Sequence, residues 1–388
     1  MIKLIKSTFY HEEETKKAVA DFIIKSTVLS MGKECATFEE KFSAKQERRH
    51  SVFVSSGSTA NLILLQSLLN IGYLHKGDKI ALTSLTWATN VMPVIELGLE
   101  CVILDVEKEN LNVSSAILQK SFAENNFKAV FLTNVLGYCA DIDKIAEFCS
   151  TNKIILLEDN CESLGSQVGS KKLGNFGLAS TFSTFVGHHF STIEGGVVCT
   201  DDEKLYEMLL MVRAHGWDRN LSVQSQKDLR QKFGIDDFYA RYTFYDLAYN
   251  ARPTEIQGFI GSIQLDYWDE IVSRRENNFK KFVDVVNNNE DILPLNTSHM
   301  SIVSSFSIPI ILKSKHLFEK YKNKFQEAEV EIRPIIAGNI TRQPFFKKYV
   351  KREFNCPNTD FIHENGFYFG NNPEMTEDEV NFLCDLLK

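Results

Sequence analysis

Close cysteine pairs are what this sequence lacks first. Its eight cysteines, Cys35, Cys101, Cys139, Cys149, Cys161, Cys199, Cys356 and Cys384, form no C-x-x-C and no C-x-C. Zinc ribbons and iron–sulfur sites depend on such pairs, so no metal is expected, and the thiols read as reduced structural residues. Long apolar runs are missing as well. None approaches the ~18 residues of a membrane span. The longest, such as AVFLTNVLGY, are short and interrupted by polar residues, like buried strands. The opening MIKLIKSTFYHEEETKK has no apolar core long enough for a signal peptide, and the expectation is a cytoplasmic protein. Positive charge is in deficit too: 43 Lys and Arg against 51 Asp and Glu leave a formal net charge of −8. No global basic field draws nucleic acid, so an anionic substrate needs a locally positive pocket. There is no internal repeat and no low-complexity tract.

What is present alternates in a regular way. SVFVSSG reads as a strand ending in a turn, and STANLILLQSLLN as the helix that follows. KIALTS, ECVILDV, KAVFLTNVLG and KIILLEDN read as strands, with WATNVMPVIELG and DIDKIAEFCSTN as helices between them. Short apolar runs between amphipathic helices argue for a largely parallel sheet covered by helices. After about Ile260 the rhythm changes. QLDYWDEIVSRRENNFKKFVDVVNN reads as a long amphipathic helix, SIVSSFSIPIIL and VEIRPII as strands, and TEDEVNFLCDLLK as a closing helix. In that last helix Thr376 and Glu379 have capping-box spacing. The expected organisation is a large domain over 1–260 and a smaller α+β domain over 261–388.

Four stretches carry chemistry. Ser55-Ser56-Gly57-Ser58-Thr59-Ala60 is a small-residue turn into a helix, which exposes free N–H groups at the positive dipole end and can seat a phosphate; an ordinary serine-capped helix has the same pattern. IILLEDNCES delivers Glu158 and Asp159 to the end of a buried strand, where open α/β sheets place ligands. Such a carboxylate can hold a metal, a ribose or a protonated pyridine nitrogen. TSLTWATN sets Trp87 after a strand, where it can stack on a flat ring or fill the core. FSTFVGHHFSTIEGGVV holds Ser183, the pair His188-His189, and Glu194-Gly195-Gly196.

Taken together these stretches resemble the sugar aminotransferases (DegT/DnrJ/EryC1/StrS) among the pyridoxal-phosphate enzymes, which act on nucleotide-linked keto sugars. RAHGWDRN, YNARPTEIQGFIGSIQL, RPI and the closing helix extend the resemblance over nearly the whole chain. It implies an α/β fold of aminotransferase type I: a large domain with a mostly parallel seven-stranded sheet, a small C-terminal α+β domain, and a homodimer with shared active sites. It also implies roles. Gly57, Ser58 and Ser183 hold the cofactor phosphate, and Asn250 reaches the phosphate in the partner subunit. Trp87 stacks on the pyridine ring, Asp159 pairs with its nitrogen, and Glu162 faces the ring's phenolic oxygen or the substrate.

In that family a lysine stands six residues before the glutamate of EGG and binds the cofactor covalently. Six residues before Glu194 stands His188. A histidine cannot make that bond, but it is a general acid and base near neutral pH. The implied cofactor is pyridoxal or pyridoxamine 5′-phosphate held non-covalently. The substitution resembles the branch of 3-dehydratases that make 3-deoxy and 3,6-dideoxy sugars, and the missing C-x-C points to its cluster-free members, which act on GDP-sugars and need no iron–sulfur reductase. The implied reaction uses L-glutamate to load the amine, removes the C3 hydroxyl of a 4-keto-6-deoxy sugar with His188 as acid and base, and releases a 4-keto-3,6-dideoxy sugar, 2-oxoglutarate and ammonia. The sugar is a hexose or a heptose. Two alternatives stay open, an ordinary nucleotide-sugar aminotransferase and a non-catalytic cofactor-binding protein.

For the diphosphate and for glutamate the basic candidates are Arg213, His215, Arg219, Arg252 and Arg333, with His215, Arg219 and Arg333 favoured. Arginine suits both anions through its planar fork. The segment QSQKDLRQKFGIDDFYARYTFYDLAYN departs from the family pattern and leaves the sugar pocket undefined.

Overall fold

A computed structural model describes all 388 residues. Five strands follow one another with helices between: β1 (His50–Val54), β2 (Lys79–Thr83), β3 (Glu100–Leu104), β4 (Ala129–Thr133) and β5 (Ile155–Asp159). A small hairpin, β6 (Gln167–Val168) and β7 (Lys171–Lys172), precedes β8 (Ala179–Ser183) and β9 (Gly196–Thr200). The main sheet has seven strands in the order β1-β9-β8-β5-β4-β2-β3. All its pairings are parallel except the two that β9 makes with β1 and β8. Six strands therefore point one way, and their carboxyl ends share one edge.

Both faces of this sheet are covered, as the near-continuous apolar strands require. Side chains alternate across a strand. In β4, Val130 and Leu132 join a core that includes Ile142 and Ile145, while Ala129 and Phe131 join another that includes Leu64 and Leu68. The helix Ile142–Thr151 buries Ile142, Ile145 and Cys149, one stripe at helical spacing.

The rest of the chain builds a three-stranded antiparallel sheet, ordered β10-β12-β11, from β10 (Ser307–Ile311), β11 (Ile332–Pro334) and β12 (Gly366–Gly370). The long helix Trp268–Asn288 leads into it. The closing helix Glu377–Leu386 has the expected box: Thr376 Oγ1 accepts from the Glu379 N–H at 3.2 Å, and Glu379 Oε2 accepts from the Thr376 N–H at 2.8 Å.

One reading from the sequence changes. The expected strand Ser301–Leu312 is a strand only over Ser307–Ile311, because Ser304 to Phe306 give their carbonyls to side chains of His189 and Arg275 instead. The helix Glu255–Leu265 runs unbroken through residue 260 and packs on the helix Lys33–Gln46: a Cβ on Gly261 would meet the Phe38 ring at 2.6 Å. No helix is long and apolar enough to cross a membrane.

Candidate active site

A cavity of about 560 Å³ opens at the carboxyl edge of the main sheet, bounded on the other side by residues of the small sheet. Its floor begins at the helix Gly57–Asn70. Ser56 caps this helix, its side chain accepting from the Thr59 N–H at 3.1 Å while Thr59 Oγ1 accepts from the Ser56 N–H at 3.0 Å. The N–H groups of Gly57 and Ser58 have no acceptor within the helix and lie at its positive end. Ser183, the last residue of β8, stands against them: a Cβ on Gly57 would lie 2.8 Å from Ser183 Cβ and 3.2 Å from Cys161 Sγ. Only glycine permits that approach, and the result is a cradle of donors for an anion. The EGG glycines serve the same packing, since a Cβ on Gly196 would sit 2.3 Å from the Ser56 carbonyl oxygen.

The two carboxylates at the end of β5 divide their work. Glu158 turns away, accepting from the N–H groups of Gly174, Phe176 and Gly177 at 2.7 to 2.9 Å; it holds a loop. Asp159 lines the cavity. Its Oδ2 accepts from Asn61 Nδ2 at 3.0 Å and Asn90 Nδ2 at 2.7 Å, and its Oδ1 from the Cys161 N–H at 2.9 Å. Three neutral donors hold Asp159 and no cation pairs with it, so its carboxylate is available to a cation in the cavity. That is the requirement of a protonated ring nitrogen. Glu162, one turn on, accepts from the Leu136 N–H at 2.8 Å. Burial pushes its carboxyl up to about 8, against the lowering effect of that N–H, with the Asp159 charge adding to the rise. Trp87 stands at the start of the helix Ala88–Glu96, also on the cavity, with 57% of its surface exposed.

His188 comes from the loop between β8 and β9 and lines the cavity. The Phe185 carbonyl accepts from its N–H at 2.8 Å, and its ring lies between those of Phe185 and Phe306, at centroid distances of 6.1 and 5.4 Å. Nδ1 is buried without a partner. Burial pushes the imidazole down to about 4, and the neighbouring Arg275 charge adds to the shift. The ring is therefore neutral at pH 7, and once charged it gives its proton up readily. His189 does not line the cavity: its Nε2 donates to the Ser304 carbonyl at 2.9 Å.

The sequence model of the DegT/DnrJ/EryC1/StrS aminotransferase family matches residues 10–388. The chain belongs to this family. Among the sugar aminotransferase relatives, it is 33% identical to the GDP-4-keto-6-deoxy-D-mannose 3-dehydratase of Escherichia coli O55:H7 over 94% of this chain and 95% of that one. It is 33% identical to the enzyme of the same name from Yersinia pseudotuberculosis, over 94% and 93%. A solved structure of GDP-4-keto-6-deoxymannose-3-dehydratase with a trapped PLP-glutamate geminal diamine matches with a TM-score of 0.91 at 31% identity, covering 100% of each chain. The aminotransferase type I fold expected from the sequence is the fold observed.

For this family member the cavity gathers Gly57, Ser58, Trp87, Asp159, Glu162, Ser183, His188 and Arg333. It does not gather Asn250, His215 or Arg219. Asn250 is exposed and bridges to Ala214. In the single chain His215 and Arg219 lie outside the lining of this cavity. The Arg219 guanidinium lies 3.9 Å from the Trp217 ring centroid. Arg213 is structural: it is buried, pairs with Glu39 and donates to the Phe53 carbonyl at 2.8 Å.

Sequence reading missed Asn61, Asn90 and Arg275. Asn61 and Asn90 each had a signal: a polar residue on an otherwise apolar helix face. It also missed Lys3 to Ile5, which line the mouth because the Leu4 N–H donates to Glu331 Oε2 at 3.0 Å.

Proposed function

We propose that this chain is a pyridoxamine-phosphate-dependent 3-dehydratase of a nucleotide-linked 4-keto-6-deoxy sugar, a hexose or a heptose, GDP being the favoured nucleotide, with L-glutamate as amino donor. The observation that carries the reading is His188: the β8–β9 loop presents an imidazole, not an amine, to a cavity that has both an anion cradle and a buried carboxylate. The fit to the cofactor rests on those features. Gly57, Ser58 and Ser183 suit a phosphate, Asp159 a protonated ring nitrogen, and Trp87 a flat ring.

Bound there, the cofactor supplies an amine for the C4 carbonyl of the sugar and a ring that stores an electron pair. The chain's own residues do the rest. Asp159, held by Asn61 and Asn90, keeps the ring nitrogen protonated. His188, neutral at rest, accepts a proton and gives it to the departing C3 oxygen, which leaves as water. Its low pKa makes the second transfer the easier one. Glutamate balances the electrons: its oxidation to 2-oxoglutarate and ammonia matches the two-electron loss of the C3 oxygen, so no separate reductase is required. A lysine at position 188 would instead favour amino transfer.

Trp87 and Phe185, both on the cavity, expose 57% and 39% of their surfaces. This suits a homodimer in which a second copy covers the mouth and brings Asn250 to the phosphate. The same reading keeps the protein in the cytoplasm, with a large cofactor-binding domain over 1–260 and a small domain over 261–388.

The test is incubation with pyridoxal phosphate, glutamate and a panel of nucleotide 4-keto-6-deoxy hexoses and heptoses, read by mass spectrometry. Loss of the C3 oxygen supports the reading. An amino sugar that keeps that oxygen identifies an aminotransferase, and bound cofactor without any 2-oxoglutarate a non-catalytic protein.

A further inference from the structure

The helix Trp268–Asn288 buries one stripe, and among Trp268, Ile271, Phe279 and Phe282 that stripe contains a charge. Arg275 is 3% exposed. Its hydrogen bonds all go to main-chain carbonyls: Nη1 donates to Asn371 at 2.6 Å, Phe306 at 3.0 Å and Ser305 at 3.3 Å, and Nη2 to His188 at 3.2 Å. A buried guanidinium without a carboxylate is costly, and an apolar residue would fill this stripe at less cost. Something other than packing accounts for it.

We propose that Arg275 is a positioning residue for His188, fastening the loop that carries the imidazole to the small domain. The inference rests on the reading of His188 as the acid and base. The guanidinium fork spans two units of the fold, the β8–β9 loop on one side and the segments at Ser305–Phe306 and Asn371 on the other. Asn371 closes the knot by donating to the Arg275 carbonyl at 2.9 Å. Phe306, whose carbonyl takes one of these bonds, also lays its ring 5.4 Å from the imidazole. His189 adds a second tie from the same loop to Ser304 at 2.9 Å. The cation also faces the cavity, where it keeps the imidazole neutral. A lysine keeps the charge, but its single ammonium cannot reproduce a planar fork with acceptors on both sides.

The test uses full-length Arg275→Lys and Arg275→Gln, each first checked for native circular dichroism. Histidine-labelled protein without cofactor is titrated by NMR, with His188→Asn assigning the signal. The other charges lining the cavity, Lys3, Asp159, Glu162, Glu194, Glu331 and Arg333, are the same in every sample, as is His189. The His188 midpoint should rise in Arg275→Gln by about one pH unit and by less in Arg275→Lys. With cofactor and substrate, kcat of Arg275→Lys should fall by of the order of 10²-fold with KM little changed. If Arg275→Gln does not fold, Arg275→Lys carries the kinetic test alone, and a loss confined to KM overturns the proposal. An unmoved His188 midpoint in folded Arg275→Gln overturns it too. Full activity of His188→Asn would instead defeat the underlying reading, and the titration would still report whether Arg275 and His188 are coupled.

Discussion

His188 and His189 are neighbours in the chain with opposite surroundings: the ring of His188 lines the cavity, and the ring of His189 is fixed to the Ser304 carbonyl at 2.9 Å. His188→Asn should therefore retain cofactor, because phosphate and ring contacts come from elsewhere. Its dehydration rate should fall by about 10²–10⁴-fold, the usual loss for a general acid–base group. His189→Asn removes one hydrogen bond worth about 1 kcal/mol and should lower the melting temperature while leaving kcat near its starting value. Steady-state kinetics and thermal melts on the two variants check this. The reverse pattern would place the active imidazole at 189.

Asn90 makes the shortest of the three hydrogen bonds to Asp159, at 2.7 Å. Asn90→Ala leaves that carboxylate with two donors and room to turn. Pyridoxamine phosphate should bind about tenfold more weakly, consistent with loss of a hydrogen bond to a charged group. Asp159→Asn should lose more, because the ring nitrogen is left without its counter-charge. Isothermal titration of the two variants ranks them.

A methyl at Gly57 would stand 2.8 Å from Ser183 Cβ. Gly57→Ala should displace Ser183 and close the cradle, so affinity for the cofactor should fall at least about tenfold while the helix itself is unharmed, alanine being the better helix former. Inorganic phosphate should likewise stop protecting the variant against heat, if the loss is at the phosphate seat. Equal phosphate protection of variant and parent would show that the cradle does not hold the anion.

These sites differ in how much of them the sequence disclosed. Asp159, Ser183 and His188 could be found because a motif carries each one at a strand end or in a fixed spacing to EGG. Strands β1 to β5 were legible because apolar runs alternate with amphipathic helices. The Ser301–Phe306 stretch misled because alternation there resembles a strand while its carbonyls serve side chains. Arg275 was hidden because its meaning depends on acceptors at Ser305 and Asn371, far along the chain, and no local pattern encodes them.

Stability should depend on pH through groups of opposite sign. The His188 imidazole falls from 6.5 to about 4 in the folded chain, so the unfolded chain binds more protons between those values. Its contribution is complete above pH 6.5 and is lost as pH falls towards 4. Glu162 rises from 4.5 to about 8, so its contribution is complete below pH 4.5 and is lost as pH rises towards 8. Urea melts of the cofactor-free protein should show that His188→Asn loses less stability than the parent between pH 6.5 and 4.5. They should show that Glu162→Gln loses less between pH 5 and 8. Parallel curves for parent and variants would mean these groups do not titrate as the site requires.

The central claim is that His188 turns an aminotransferase site to the removal of the C3 hydroxyl. The most direct measurement is a turnover in deuterium oxide with glutamate and a GDP-linked 4-keto-6-deoxy sugar, the product being read by mass spectrometry and NMR. The account predicts a product without the C3 oxygen, carrying deuterium at C3, with 2-oxoglutarate and ammonia formed in equal amounts. A product with nitrogen at C4 and the C3 hydroxyl intact would contradict it.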